Sequence, residues 1–391
     1  MTVTEMARRA KETSLKLQSL SEDHRVRALH ALGNELIKNS ARILEENSKD
    51  LAEAKKTKLS SAMIDRLTLT EKSIQGLKEM CDSISSQQRV VGQIIEEYTR
   101  QNGLKIQKQR IPIGVIGMIF ESRPNVVIDG AALAIKSGNA IILKGGKEAQ
   151  HSNRVLADIV SEATRNILPE GAVSLIETRE DVAELLKLNQ YIDLMVPRGG
   201  SSLIDHVRKN ATMPVVAHDK GLCHIYVHKD ADINRVIPIV LNAKVSRPGV
   251  CNAVETLLIH KDYPEKDKVI EALKNEHVEI REQFDTEFLD KIISLKVVSD
   301  ENEAISHIQK YGSHHTEAIL AKDPKVIEKF LNSLDASALV VNASTRFNDG
   351  GELGLGAELG ISTSKLHAYG PMGAKEMTTT RFIVTGNGQV R

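Results

Sequence analysis

Between residues 113 and 226, short apolar runs alternate with helical stretches, and no other feature limits the possible folds as much. Residues 114–120, 140–143, 173–176 and 192–196 read as buried strands. Residues 126–136, 153–167, 181–186 and 201–210 carry helical spacing. Strands separated in this way cannot pair as hairpins. They predict a parallel, doubly wound α/β sheet, which takes its ligands at the carboxyl ends of its strands.

Two of those ends are suited to phosphate. The strand at 140–143 runs into Lys144-Gly145-Gly146-Lys147, and that at 192–196 into Pro197-Arg198-Gly199-Gly200-Ser201-Ser202, which opens a helix. Paired glycines let the backbone approach an anion, and a helix N-terminus adds N–H donors. There is no G-x-G-x-x-G, so the common dinucleotide fingerprint is absent.

The flanks differ in texture. Residues 1–90 read as helices, with Val26, Leu29, Leu32, Leu36 and Ile37 at helical spacing, then Ile43, Leu44 and Leu51. Ile74, Leu77, Met80, Cys81 and Ile84 share one stripe, which places Cys81 in the core. Residues 93–100 and 104–110 flank Gln101-Asn102-Gly103, a hairpin signal with much charge on its surface. From about residue 227 a second domain begins. Its helices are expected at 233–242, 266–273 and 304–310, and its strands at 253–260, 292–298 and 338–342. A last strand at 377–385 is a candidate partner for the hairpin.

Composition excludes several classes. The 52 Lys and Arg balance 52 Asp and Glu, so no basic excess points to nucleic acid or an anionic membrane. No apolar run has the length of a membrane span, and residues 1–20 lack the apolar core of a secretory signal. Three cysteines among 391 residues make no disulfide framework and suggest a reducing, cytoplasmic setting.

Cys251 lies in Ser246-Arg247-Pro248-Gly249-Val250-Cys251-Asn252-Ala253, a turn just ahead of a buried strand. Two readings fit: a small buried hydrophobe, or a nucleophile that needs access and a field favouring thiolate. Arg247 and Lys244 are the nearby cations for such a field.

Four stretches together resemble the aldehyde dehydrogenase superfamily. They are Arg247–Ala253 with Glu255-Thr256-Leu257-Leu258; Ile308–Ile319 around Ser313-His314-His315-Thr316-Glu317; Asn342-Ala343-Ser344-Thr345-Arg346-Phe347 with Gly354-Leu355-Gly356-Ala357-Glu358; and Phe120-Glu121-Ser122-Arg123-Pro124-Asn125. More narrowly they look like its acyl-phosphate-reducing members, and the likeness covers nearly the whole chain. It implies a Rossmann-like cofactor domain, an α/β catalytic domain and a β-hairpin oligomerisation arm. The expected boundaries are 1–226 for the NADP-binding domain with arm 93–111, 227–360 for the catalytic domain carrying Cys251, and 361–391 for a return segment and oligomerisation strand. The implied reaction is NADPH-dependent reduction of L-glutamate 5-phosphate to the 5-semialdehyde in proline biosynthesis, through a Cys251 thioester. A homo-oligomer is implied, and pathway logic adds a complex with glutamate 5-kinase. The alternative is a non-phosphorylating aldehyde dehydrogenase.

Residue roles follow from the same likeness. Asn125, with Ser122 and the Cys251 N–H as further candidates, would hold the oxyanion. Lys144 resembles a ribose-binding Lys, and Lys147 stands where NAD-preferring relatives carry a Glu, which suits a 2′-phosphate. Gly145, Gly199, Gly200 and Ser201 complete the cofactor set. In His218-Asp219-Lys220-Gly221, His218 stands where hydrolytic members carry the Glu that activates water, so hydrolysis is disfavoured. His218 and His224 are candidates for substrate contact, and Cys223 for structure. Arg123, Lys220, Arg247 and Arg346 are candidate anion clamps, because such groups grip carboxylate or phosphate. Glu287 loosely resembles a ribose-holding Glu but reads more simply as a surface helix residue. No metal site is expected; His307, His314 and His315 are the nearest approach to one.

Overall fold

The computed structural model describes residues 1–218 and 220–391. The chain forms two compact units: residues 1–216, 354–360 and 372–391 make one, and 217–353 with 361–371 the other.

The first unit opens with α1 (Val3–Ser19), α2 (Glu22–Lys38), α3 (Ser40–Lys56), α4 (Ser61–Leu67) and α5 (Glu71–Ser86). Capping residues set their starts. Thr2 and Glu5 form a reciprocal capping box on α1, Ser21 caps α2, and Thr70 and Ser73 pair at α5. The α5 stripe Ile74, Leu77, Cys81 and Ile84 is buried as expected. Burial pushes the Cys81 thiol up to about 12, consistent with a packing role.

The hairpin β1 (Ile94–Thr99) and β2 (Lys105–Pro112) follows, turning at Gly103, whose φ of +85° suits glycine. Next come β3 (Val115–Phe120), α6 (Val126–Ser137), β4 (Ala140–Lys144), α7 (Gln150–Thr164), β5 (Val173–Ile176), α8 (Arg179–Leu185), β6 (Leu194–Arg198) and α9 (Ser201–Asn210). The sheet order is β5-β4-β3-β6, all parallel. β3 is buried at every position, which explains its unbroken apolar run. The chain steps outward from β3 to β5 and then returns to β6 on the other side of β3. That reversal opens a crevice at the carboxyl ends of β3 and β6.

The second unit holds β7 (Cys223–Val227), α10 (Ile233–Val245), β8 (Val254–His260), α11 (Lys266–Asn275), β9 (Glu279–Arg281), β10 (Ile292–Val298), α12 (Glu301–Tyr311), β11 (Thr316–Leu320), α13 (Pro324–Ser333) and β12 (Ala338–Val341). Its six parallel strands run β12-β11-β7-β8-β10-β9. Alternate residues feed two cores. Ile225, Val227, Leu257 and Ile259 pack on one face with Leu273 and Ile293, while Tyr226 and Leu258 pack on the other with Ile308, Ile319 and Phe330. A short ribbon, β13 (Ile361–Ser362) and β14 (Gly370–Pro371), completes this unit. The last strand, β15 (Thr378–Thr385), belongs to the first unit and pairs antiparallel with β2 along its whole length.

The expected boundary at residue 226 therefore moves. β7 sits between β8 and β11, so it belongs to the second sheet and the division falls after residue 216. The 361–391 segment is not one piece either, because residues 361–371 and 372–391 go to different units. Among the described residues, no helix is long and apolar enough to cross a membrane.

The second core also buries His307 against Phe284 and Tyr311. Burial holds this imidazole down at about 4, against an ordinary 6.5. Between those values the unfolded chain binds the proton that the folded one refuses, so stability falls as pH drops from about 6.5 towards 4. Going from pH 7 to 5, this one group should cost about 2 kcal/mol. Thermal melts of His307→Phe should show a smaller loss over that range than wild type; an equal loss would contradict the assignment.

Candidate active site

In the second unit, Cys251, Gly221 and His315 lie at the amino edge of the sheet, just ahead of β8, β7 and β11. Helix α10 ends at Val245, Pro248 and Gly249 turn the chain, and Cys251 sits partly exposed three residues before β8. Gly221 passes so close ahead of β7 that a Cβ there would collide with the Cys251 carbonyl. Only glycine leaves room for this approach. The Gly221 N–H donates to Glu287 Oε1 at 3.0 Å, and the Leu222 N–H to Ser313 Oγ at 2.9 Å. Glu287 is thus a half-buried loop residue held against the Gly221 segment beside the Cys251 turn, and the surface-helix reading is corrected. Burial raises its carboxyl above the usual range.

The other flank of the turn is clamped by the stretch after β12. Asn252 Nδ2 donates to the carbonyls of Arg346 (3.3 Å) and Asn348 (3.0 Å), and Arg346 donates back to Asn252 Oδ1. Thr345 Oγ1 donates to the Asn252 carbonyl at 2.7 Å. Arg346 is half-buried, its pKa lowered first by burial, and it interacts electrostatically with Arg247 and Cys251. Arg247 and Lys220 are exposed.

Beneath the turn, the buried Cys223 Sγ approaches the Cys251 carbonyl at 3.2 Å and His315 Nδ1 at 3.6 Å. Burial raises the Cys223 thiol well above its ordinary value, which supports its structural reading. His315, pushed down to about 3 by burial, meets His218 edge to face at 6.1 Å between ring centres. His218, Arg346 and Cys251 therefore belong to one neighbourhood, whereas His224 does not. Its ring is fully buried, faces α12, and pairs with Glu317 at 2.9 Å. Position on a core-facing strand residue removes it from the substrate set. Lys244 is corrected too. It is sealed from solvent and paired with Glu255 at 3.0 Å, so it offers no uncompensated charge to Cys251. Among the described residues no three metal-ligating side chains gather; His307 is packed among aromatics and His314 is exposed.

In the first unit, the end of β3 leads into Ser122, held at φ +47° with its N–H and Oγ both donating to Glu148 Oε1 at 2.7 Å. That engages the Ser122 hydroxyl. One Asn125 amide hydrogen goes to Asp129 Oδ2 at 2.9 Å, and the second is not used in this bond. Burial raises Asp129 to about 6, against the opposing pull of Arg198. Arg123 contributes to the same electrostatic cluster.

Lys144 ends β4 half-buried, its pKa lowered by burial, with Glu148 as its leading partner charge. Lys147 stands exposed in the following 3₁₀ turn. Gly145 is buried against Asn153. Gly199 and Gly200 lead into α9 at the exposed Ser201, and the Gly200 N–H donates to Glu121 Oε2 at 2.9 Å. A carboxylate thus already sits at this helix N-terminus, which reports its anion preference. Glu121 is exposed. Backbone donors, a half-buried Lys and an exposed Lys at a switch-point crevice fit a nicotinamide dinucleotide.

Sequence reasoning passed over Gly221, Asn252, Thr345, Asn348 and Glu255. Asn252 and Glu255 adjoin Cys251 in the chain, and that adjacency was their available signal. Asn348 and Gly221 become visible only once the strands are assembled.

Residues 2–288 match the aldehyde dehydrogenase family. A protein named gamma-glutamyl phosphate reductase from Nautilia profundicola is 48% identical over 99% of this chain and 99% of its own. One of the same name from Carboxydothermus hydrogenoformans is 48% identical over 100% of this chain and 99% of its own. The crystal structure of gamma-glutamyl phosphate reductase from Thermotoga maritima superposes with a TM-score of 0.95 at 39% identity, covering 100% of both chains.

Proposed function

The chain belongs to the aldehyde dehydrogenase family, among relatives named gamma-glutamyl phosphate reductase, and from that premise we propose that it reduces L-glutamate 5-phosphate to L-glutamate 5-semialdehyde and phosphate in proline biosynthesis, using NADPH and a Cys251 thioester. The observation that carries the chemistry is Cys251 itself: partly exposed, in a turn whose backbone is gripped by Gly221 on one flank and the Asn252–Arg346–Asn348 network on the other.

Cys251 attacks as thiolate at the acyl carbon, the C–O bond to phosphate breaks, and inorganic phosphate departs with the electron pair. A thiolate suits this step because it is nucleophilic near neutral pH and its thioester is reducible. When bound, the reduced nicotinamide supplies the hydride. Collapse of the Cys251 thiohemiacetal then expels the thiolate and releases the aldehyde. Asn125 and the Cys251 N–H are the proposed donors to the oxygen that carries negative charge. Arg346 and Arg247 are the proposed clamps for the phosphate or carboxylate, with Lys220, His218 and Arg123 as secondary contacts. Lys144 would hold the ribose and Lys147 the 2′-phosphate, while Gly145, Gly199, Gly200 and Ser201 would line the pyrophosphate once Glu121 leaves the Gly200 N–H.

Assembly through the three-stranded β1-β2-β15 sheet is the second part of the proposal. Its outer strands carry the exposed apolar side chains Ile95, Tyr98, Phe382 and Val384. A charged ribbon with exposed aromatic and aliphatic groups suits a self-complementary interface.

Three measurements check these statements. NADP reduction by glutamate semialdehyde should require phosphate and should be lost in Cys251→Ala; phosphate-independent oxidation would transfer the reading to a non-phosphorylating dehydrogenase. Lys147→Ala should raise KM for NADP by about tenfold, the size of one lost charge-assisted contact, while leaving KM for NAD within about twofold; equal changes for both would remove the 2′-phosphate role. Light scattering at micromolar concentration should give at least a dimer, and Phe382→Asp should weaken it; a monomeric wild type would refute the assembly.

A further inference from the structure

The turn that carries Cys251 is bracketed by a buried ion pair. Lys244 lies in the last turn of α10 and Glu255 is the second residue of β8, so the pair closes the chain segment containing Cys251 on itself. Both side chains are sealed from water, with relative exposures of 0% and 1%, and Lys244 Nζ stands 3.0 Å from Glu255 Oε2. The other carboxylate oxygen accepts the Leu289 N–H at 3.3 Å. Leu289 is held at φ +54°, two residues beyond Glu287. Glu287 in turn accepts the Gly221 N–H, and Gly221 presses on the Cys251 carbonyl. The contacts form a ring that starts at the base of the nucleophile turn and returns to the nucleophile's own backbone.

We infer that Lys244 and Glu255 are positioning residues for the thiol: the pair fixes the base of the Cys251 turn and, through Leu289 and Glu287, the Gly221 segment that bears on it. The inference rests on the acyl-phosphate reading above. It assigns no bond-making role to either residue. Two opposite charges fully removed from water are a costly way to hold a fold, and an apolar pair of similar volume often does as well or better. What the ion pair adds is directionality, because a carboxylate with both oxygens engaged admits one arrangement of three chain segments. Near-attack geometry at Cys251 is sensitive on that scale, since a misplacement of about 1 Å costs on the order of a hundredfold in rate.

The charged groups facing Glu255 are Lys244 from α10 and, more distantly, Cys223 from β7; Asp290 and Glu287, in the loop before β10, face Lys244. Burial raises the Glu255 carboxyl to about 7, against the pull of Lys244. The carboxylate form that grips both partners is therefore full above that pH and lost below it.

The test is Glu255→Gln, which keeps shape and removes the charge. At pH 8 its kcat should fall at least about tenfold, with KM for NADPH within about twofold of wild type. At pH 6, where the wild-type carboxyl is itself protonated, the two proteins should converge to within about threefold. Alkylation of Cys251 by iodoacetamide, which needs neither substrate nor cofactor, should show the same convergence. An unchanged kcat at pH 8, or a defect of equal size at both pH values, overturns the inference. The double variant Lys244→Met/Glu255→Leu guards against misfolding. It should melt at or above the wild-type temperature and remain slow; recovery of wild-type kcat would overturn the inference. If wild type itself lacks phosphate-dependent activity, the acyl-phosphate reading fails, and the alkylation ratio alone still decides the role of the pair.

Discussion

The Gly221 backbone and the Cys251 carbonyl share a space too small for a side chain, and the second unit's site is arranged around that contact. It requires β7 and β8 to be neighbours with their amino ends level, which the parallel register provides. It requires a residue without a Cβ at 221. It also requires both segments to be tied down, since two loops brought so near would otherwise drift apart. Glu287, Ser313 and residues 345–348 supply those ties from three separate stretches. Cys251 is thus positioned by backbone approach and hydrogen bonds.

The periodic parts of the fold were legible. Residues 292–298 and 201–210 were read with the bounds that β10 and α9 have, and the hairpin and its β15 partner were both seen. What escaped reading has physical causes. β11, with sequence Thr-Glu-Ala-Ile-Leu, buries Glu317 on a strand, and composition gives no hint that His224 pairs with it. The boundary at 226 failed because β7 follows the first unit's strands in sequence but pairs only with the second unit's. Helix α13 went unread although Asp323 caps it and Pro324 opens it. At the site, a partly exposed Cys in a turn was accessible to sequence logic, and so were its Arg neighbours. Whether a given cation or imidazole faces solvent or core was not, since Lys244 and His224 look the same in a string as Lys220 and His218.

The second unit's core is unusually polar for its size. His224, His307, His315, Glu317, Lys244 and Glu255 are all buried. Each would be expensive alone, so they occur as pairs or against aromatic rings. Such groups raise the penalty for near-miss packings more than they raise stability. Of them, His315, Lys244 and Glu255 border the Cys251 turn and leave it few alternative packings.

The division of the chain between units has a consequence for how the protein is made. Residues 217–353 and 361–371 are inserted into a unit that is completed only by residues 372–391. On a ribosome that delivers the chain from its N-terminus, β2 emerges early and must wait for β15, which comes almost last. Throughout that interval it offers an open edge for the wrong partner. Lys105, Lys108 and Arg110 spaced along it are the kind of charge that keeps such an edge soluble. The charged character of the arm thus serves the nascent chain before it serves the finished one.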